Sequence, residues 1–454
     1  MKKVRSMMCM LLILTVAFSS QLWAAGVKEG LPPIPAKNVI VLIGDGMGFG
    51  AMELGRIMEY GTDGQLHIQK IRTVGLMTTN PAEGVVTDSA AAGTALASST
   101  KTLNGSIGVD VNKNPVESIT TYFQNAGKSI GLISTNTVDD ATPAAFGAHV
   151  ASRDGKSEIV RDYFESQWDV ILGGGTKYFG PAKQNGVDMV EKFIESGYTY
   201  VTDRDALAKA PGSGKLLGLF TPSYMNYISD LEEYQSNEPS LRELTMKALD
   251  ILSNDEDGFF LMSEGARIDH AAHAGDATAV WLEMIEFDNT VQYCLDWAAE
   301  HGETLVVVTA DHQTMAIAPS EVIDIDGLKN VSVSAEYMAL QLEKNNDNTA
   351  YTVESIQDVF LTYAGIELSK AEAIELQGNL PLELYSYQLG WEIGSVLSSK
   401  LGVGLWSRDI RSSGITGGHS AAWVPVFAQG PGAEAFMGSY DNTDFANILK
   451  SVVK

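Results

Sequence analysis

Short apolar runs alternate along this chain with longer stretches whose apolar residues recur three and four positions apart. The runs at 38–43, 129–135, 169–172, 259–262, 305–308 and 424–428 are rich in Val, Ile, Leu and Phe. Runs of this length, bounded by turn residues, read as buried strands. The stretches 116–126, 241–252 and 276–300 place apolar residues near i, i+3 and i+4, and read as helices with one buried face. Strand and helix in alternation imply an α/β protein. The expected fold is a three-layer sandwich with a central, mostly parallel sheet.

One stretch breaks the alternation. Between about 319 and 411 there are helical patterns at 334–344, 353–364 and 382–401, but no clear core strand. This stretch separates Asp311-His312 from His419. It is expected to be a helical cap inserted over a site, not an independent domain.

Sheets of this kind bind ligands at the carboxyl ends of their strands. The run 38–43 leads into Gly44-Asp45-Gly46-Met47-Gly48, and 129–135 leads shortly into Asp140-Ala141-Thr142-Pro143. The run 259–262 leads into Ser263-Glu264-Gly265, and 305–308 into Thr309-Ala310-Asp311-His312. Four strand ends that carry carboxylates, flanked by small residues that allow close approach, suggest one converging site.

The richest block runs from Glu264 to His273. Asp269 and His273 are four apart and share a face if the segment is helical. Carboxylate plus imidazole is a zinc-type ligand set. Asp311-His312 offers a second pair, and His419 follows two glycines. Only 7 histidines are present, and His270, His273, His312 and His419 all fall in these blocks. Ser89 presents a fork. At the start of a run of small helix formers, a serine either caps the helix or serves as a nucleophile in front of its free N–H groups.

Composition narrows the class. With 454 residues, 45% hydrophobic and 19% charged, the chain is globular and long enough for a large core. A net charge of −26 argues against a nucleic-acid surface. It also repels a phosphate ester at long range, so any anion site must supply its own positive charge. Lys2, Lys3 and Arg5 precede an apolar run at 7–18 and then small residues. Residues 1–25 thus read as a secretory signal peptide, cut after Ala24 or Ala25. The run is short for a membrane span, so no stable anchor is expected after cleavage. Residues 26–454 would be the catalytic domain. Of the two cysteines, Cys9 lies in the leader, leaving Cys294 as a small core residue with no internal disulfide partner.

Taken in order, Asp45 in Gly-Asp-Gly-Met-Gly, Thr87-Asp88-Ser89, Asp140-Ala-Thr142-Pro143, Glu264-Gly with Asp269 and His273, Thr309-Ala-Asp311-His312, and Gly418-His419 resemble the motifs of alkaline phosphatases. The likeness covers nearly the whole mature chain and is weakest in the cap. It implies two Zn2+ and one Mg2+. Asp269, His273 and His419 match the ligands of one zinc, and Asp45, Asp311 and His312 those of the other. Asp45, Thr142 and Glu264 match those of the magnesium. Ser89 matches the nucleophile and Arg153 the phosphate-binding arginine, with Asp88 orienting that arginine. The resemblance implies hydrolysis of phosphate monoesters through a phosphoserine intermediate, in the periplasm or outside the cell. Inorganic phosphate is the product. The family is often dimeric, so a homodimer is within expectation.

The alternative enzyme is a phosphodiesterase or another phosphoryl-transfer member of the same superfamily. A sulfatase is disfavoured because no Cys-x-Pro-x-Arg pattern occurs near the nucleophile. A mutase is disfavoured by the leader, and a binding protein without turnover by the presence of Ser89, Arg153 and every matched ligand. One position departs from a single family pattern. His270 is the choice typical of animal members, whereas Asp140 is typical of enterobacterial ones. His270 is expected to face bound phosphate, directly or through water, to feel Asp140, and to lose its charge near neutrality.

Overall fold

A computed structural model describes residues 35–453. The proposed leader, its cleavage site and Cys9 lie outside the described residues. Ten strands form the main sheet: β1 (Asn38–Gly44), β2 (Thr73–Thr78), β3 (Ser129–Thr137), β4 (Val170–Gly174), β5 (Tyr198–Val201), β6 (Lys215–Leu219), β7 (Phe259–Gly265), β8 (Thr304–Thr309), β9 (Val424–Gln429) and β10 (Gly438–Asp441). Their spatial order is β10-β2-β9-β8-β1-β7-β3-β4-β6-β5. β9 pairs antiparallel with both of its neighbours, and every other pairing is parallel. The mostly parallel sheet read from the sequence is therefore present.

Both faces of the sheet are covered, as a parallel sheet requires. Successive side chains on a strand point to opposite faces. On β7, Phe260 stacks on Phe123 of the helix Ile119–Asn125, with ring centroids 5.1 Å apart. The next-door Phe259 meets Trp297 of the helix Ala277–His301 at 5.6 Å. One strand thus joins two helical layers. Cys294 is buried in that same long helix, where burial pushes its thiol pKa up and keeps it unreactive.

Two short antiparallel pairs position the later part of the chain. Gln313–Thr314 pairs with His419–Ser420, opposing His419 to Thr314. Ala318–Pro319 pairs with Val403–Gly404, so the chain leaves and re-enters at one place. Among the described residues, no strand of the main sheet comes from 319–411, which carries the helices Ala335–Leu340, Val353–Ala364 and Ser386–Lys400.

Candidate active site and metal centre

The four strands whose ends carry the chemistry, β8, β1, β7 and β3, are adjacent in the sheet. Their register aligns the ends. Ile43 of β1 lies beside Glu264 of β7 and Thr309 of β8, and Ser134 of β3 lies beside Glu264. Asp45, Glu264, Asp311 and His312 follow from that alignment. The turn after β1 then brings in the helix Arg267–Ala274. Gly46 has φ +70°, and a Cβ there would fall 2.8 Å from Asp269 Oδ1 and 2.9 Å from Asp269 Cα. Only glycine lets the two segments approach this closely.

The imidazoles reveal what the site is built to hold. His273 Nδ1 lies 2.7 Å from the Gly417 carbonyl, and His419 Nδ1 lies 2.9 Å from the Thr87 carbonyl. A carbonyl can only accept, so both Nδ1 atoms carry the hydrogen. In the neutral rings both Nε2 atoms are then bare lone pairs, yet they face each other at 3.1 Å. Asp269 adds its carboxylate, with Oδ2 3.2 Å from His273 Nε2 and Oδ1 3.7 Å from His419 Nε2. Lone pairs and anions converging without a hydrogen between them call for a cation. Two ligands of a tetrahedral zinc stand about 3.3 Å apart, which matches this spacing.

His312 repeats the logic. The Thr314 hydroxyl donates to Asp269 Oδ1 at 2.5 Å, and its oxygen lies 3.3 Å from His312 Nδ1. That leaves His312 Nε2 facing Asp311 Oδ2 at 3.1 Å, Asp45 Oδ1 at 3.5 Å and Ser89 Oγ at 3.1 Å. Asp269 with His312 and His419, and Asp45 with Asp311 and His312, are groups with ligand atoms within 4.8 Å of one another. Burial lowers the His312 pKa, but Asp311, Asp269 and Asp88 together outweigh it and the net shift is upward. Asp45 is held well above the usual carboxylate range by burial, with Asp311, Asp269 and Glu264 adding repulsion. Burial likewise pushes Glu264 up to about 8. Each effect is the signature of missing positive charge.

A third set consists of oxygens alone. Asp45 Oδ1, Thr142 Oγ1 and Glu264 Oε1 are buried without a hydrogen-bond partner. The other Glu264 oxygen is fixed by the Ser134 hydroxyl at 2.5 Å. Buried polar atoms are rarely left unpaired, and an all-oxygen set suits a hard cation such as magnesium.

The anion side lies across from these groups. Ser89 is the first residue of the helix Ser89–Ser98, but the cap is Asp88, whose Oδ1 accepts the Ala91 N–H at 2.9 Å. The capping role thus falls to Asp88, and the oxygen of Ser89 faces His312. Asp88 Oδ2 also receives the Gly105 N–H at 2.8 Å and Arg153 Nη1 at 3.3 Å. The other Arg153 nitrogen reaches Asp140 Oδ2 at 3.3 Å. Lys156, which sequence reasoning missed, holds the remaining Asp140 oxygen at 2.5 Å. Burial opposes the charge on Arg153 and on Asp140, but the ion pairs win: Arg153 is shifted upward and Asp140 downward, so both stay ionised. Replacing Arg153 by alanine is expected to weaken inhibition by inorganic phosphate about 10- to 100-fold, the range of a charged hydrogen bond. Metal content should stay unchanged. Inhibition assays paired with metal analysis would check both.

His270 departs from expectation. Its Nδ1 takes a hydrogen bond from Arg267 Nη1 at 2.5 Å, and Asn136 Nδ2 lies 3.5 Å from its Nε2. Burial, then the Arg267 charge, lower its pKa to about 4. The ring is therefore neutral throughout the working range and does not shed a proton near neutrality. Asp140 does touch this ring's neighbourhood, through Asn136 at 2.7 Å. Arg267 was legible in principle, since it lies one helical turn before His270.

A cavity of 680 Å³ opens over Ser89, Arg153 and His270. With the geometry in place, comparison with known proteins is direct. Residues 36–454 match the family described as alkaline phosphatase. Alkaline phosphatase 4 of Bacillus subtilis is 33% identical over 438 residues, covering 92% of this chain and 89% of that protein. A cold-active alkaline phosphatase from a psychrophilic Shewanella superposes with a TM-score of 0.78 at 32% identity, over 92% of this chain and 100% of its own. A mutant of the alkaline phosphatase from the Antarctic bacterium TAB5, described with Mg bound in the M3 site, gives 0.66 at 27% identity, over 92% and 98%. The protein is a hydrolase of phosphoric monoesters. It belongs to the alkaline phosphatase family.

Proposed function

We propose that this enzyme works outside the cytoplasm, holds two zinc ions and one magnesium, and turns over through a phosphoseryl intermediate on Ser89. The observation that carries the reading is the pair of bare Nε2 atoms of His273 and His419, 3.1 Å apart beside Asp269. Asp269, His273 and His419 would hold one zinc. Asp45, Asp311 and His312 would hold the second, and Asp45, Thr142 and Glu264 the magnesium. The Mg reported for the TAB5 mutant supports the third site. When bound, these cations would favour the ionised Ser89 hydroxyl and offset charge on the departing oxygen.

The chain's own residues do the rest. Ser89 Oγ attacks phosphorus in line, the bond to the alcohol oxygen breaks, and the alcohol departs. Water then attacks the phosphoseryl group and returns Ser89 with inorganic phosphate. Arg153 presents a planar fork to the non-bridging oxygens, and Asp88 and Asp140 hold that fork. The N-terminus of the helix Ser89–Ser98 adds favourable potential for the anion. Residues 319–411 act as a cap over the cavity. For localisation, the leader carries the argument; among the described residues no helix is long and apolar enough to cross a membrane.

The test is metal analysis combined with turnover. Purified enzyme should carry zinc and magnesium and should hydrolyse an aryl phosphate monoester at least about 10³-fold faster than the matching diester, since the diester lacks one oxygen for Arg153 and the cations. Faster diester hydrolysis would overturn the proposal.

A further inference from the structure

The cap meets the group Asp269, His273 and His419 through one buried cation. Arg411 lies in the short helix Arg408–Ser413 and is 2% exposed. Its Nη1 is within hydrogen-bonding distance of the Trp391 carbonyl and Ser395 Oγ, both at 2.9 Å, and of the His273 carbonyl at 3.3 Å. Its Nη2 donates to Glu392 Oε1 at 2.8 Å, and the guanidinium lies 5.4 Å from the centre of the Trp391 ring. Trp391, Glu392 and Ser395 belong to the cap helix Ser386–Lys400. Three helices therefore meet on one side chain. A buried charge is costly unless it is paired and hydrogen-bonded, and the phosphoryl-transfer steps proposed above make no use of this one.

The contacts converge on the His273 ring. His273 sits in the last turn of the helix Arg267–Ala274, where the final carbonyls have no intrahelical partner. Arg411 supplies one donor there, and its charge suits the negative end of the helix. Ser398 Oγ supplies another, to the Gly275 carbonyl at 2.5 Å. The cap helix lies this close because of Gly394, where a Cβ would collide with the Ala274 carbonyl oxygen. Its Trp391 stacks on His273, with centroids 5.3 Å apart and planes 20° from parallel. The chain after Arg411 returns to the same ring. The Gly417 carbonyl accepts from His273 Nδ1, and a Cβ on Gly417 would fall 3.2 Å from His273 Cε1. His419 follows two residues later.

We infer that Arg411 is a positioning residue for the zinc assigned to Asp269, His273 and His419. It pins the cap helix and the loop before His419 against these ligands, and so sets how tightly that one ion is kept. The inference rests on the zinc assignment proposed above. Partners that orient ligands from outside are worth typically about 10- to 100-fold in metal affinity. The other zinc set, Asp45, Asp311 and His312, follows directly on β1 and β8, and none of the Arg411 contacts touches it.

Competition for zinc with a chromogenic chelator, counted in equivalents on the metal-loaded enzyme, tests this. Arg411→Ala should weaken binding of one zinc equivalent about 10- to 100-fold and leave the other near its wild-type affinity. Arg411→Lys keeps the charge but loses the planar fork, so it should weaken the same equivalent about tenfold. In a His273→Ala background, which lacks a ligand of this ion, adding Arg411→Ala should not alter the affinity of the zinc that remains. Unchanged binding in a folded Arg411→Ala, or in Arg411→Lys should the alanine variant not fold, would overturn the inference. Equal weakening of both equivalents, or weakening in the His273→Ala background, would make Arg411 a general brace of the fold and overturn it too. A wild type that carries no zinc would strike the metal assignment itself, and so is distinguishable.

Discussion

Ser89→Ala should abolish trapping of labelled phosphate on the peptide around Asp88-Ser89-Ala90 and lower monoester turnover by about 10⁴-fold or more, as loss of a nucleophile does. The fold should survive. Ser89 contributes one side-chain hydrogen bond, to His312, worth about 1 kcal/mol. The cap of the helix belongs to Asp88 and remains. Asp88→Ala should behave differently. It removes the cap, the Gly105 bond and one anchor of Arg153 together, so stability and phosphate affinity should fall while trapping persists. Acid-quenched labelling and calorimetry on the two variants would separate the roles. Normal labelling of Ser89→Ala would remove Ser89 from the mechanism.

Removing the metals should produce the second large effect, and its pH dependence has a definite sign. Glu264 titrates at about 8 in the metal-free fold against 4.5 ordinarily, and Asp45 is raised as well. The metal-free folded state therefore binds more protons than the unfolded chain between these values. Stability is present below about pH 4.5 and is lost as the pH rises towards 8. Glu283, buried away from the metal groups, is also raised to about 8 and contributes the same slope with or without metal. The diagnostic quantity is hence the difference between loaded and stripped protein. The gain in Tm from zinc plus magnesium should widen steadily from pH 5 to 8, and activity should return only with both metals. Thermal scans of stripped and reloaded protein would show it. A constant gap, or full activity after complete stripping, would refute the three-cation reading.

Much of this was legible because the signals are local. The helix read at 241–252 is present as Leu241–Leu252, where Ser240 and Glu243 form a reciprocal capping box. The carboxylates at the ends of β1, β7 and β8 were legible because strand position alone places them. β2, β5, β6 and β10 were not read. β5 and β10 are four-residue edge strands with little apolar contrast, and β2 and β6 carry glycine inside a short run. The missed site residues share another cause. Thr314 acts through the hydrogen it gives Asp269, and Lys156 through Asp140, so their roles depend on side-chain direction rather than on spacing. His270 was read from its neighbours in sequence, whereas its burial, and then Arg267 one turn earlier, hold it neutral.

The reversed strand has a consequence for how the molecule is made. β2 touches the rest of the sheet only through β9, and β10 touches it only through β2. During synthesis the segment 73–78 must wait, with its edges unpaired, until residues 424–429 have emerged and threaded beside it. His419 arrives in the same late step, closing a loop to Thr87 across 332 positions. Such distant closure is slow, and exposed edges invite wrong partners meanwhile. It also couples maturation to competence. On the proposed assignment, the set Asp269, His273 and His419 stays incomplete until this late step, so full metal loading and activity would follow the sealing of the sheet.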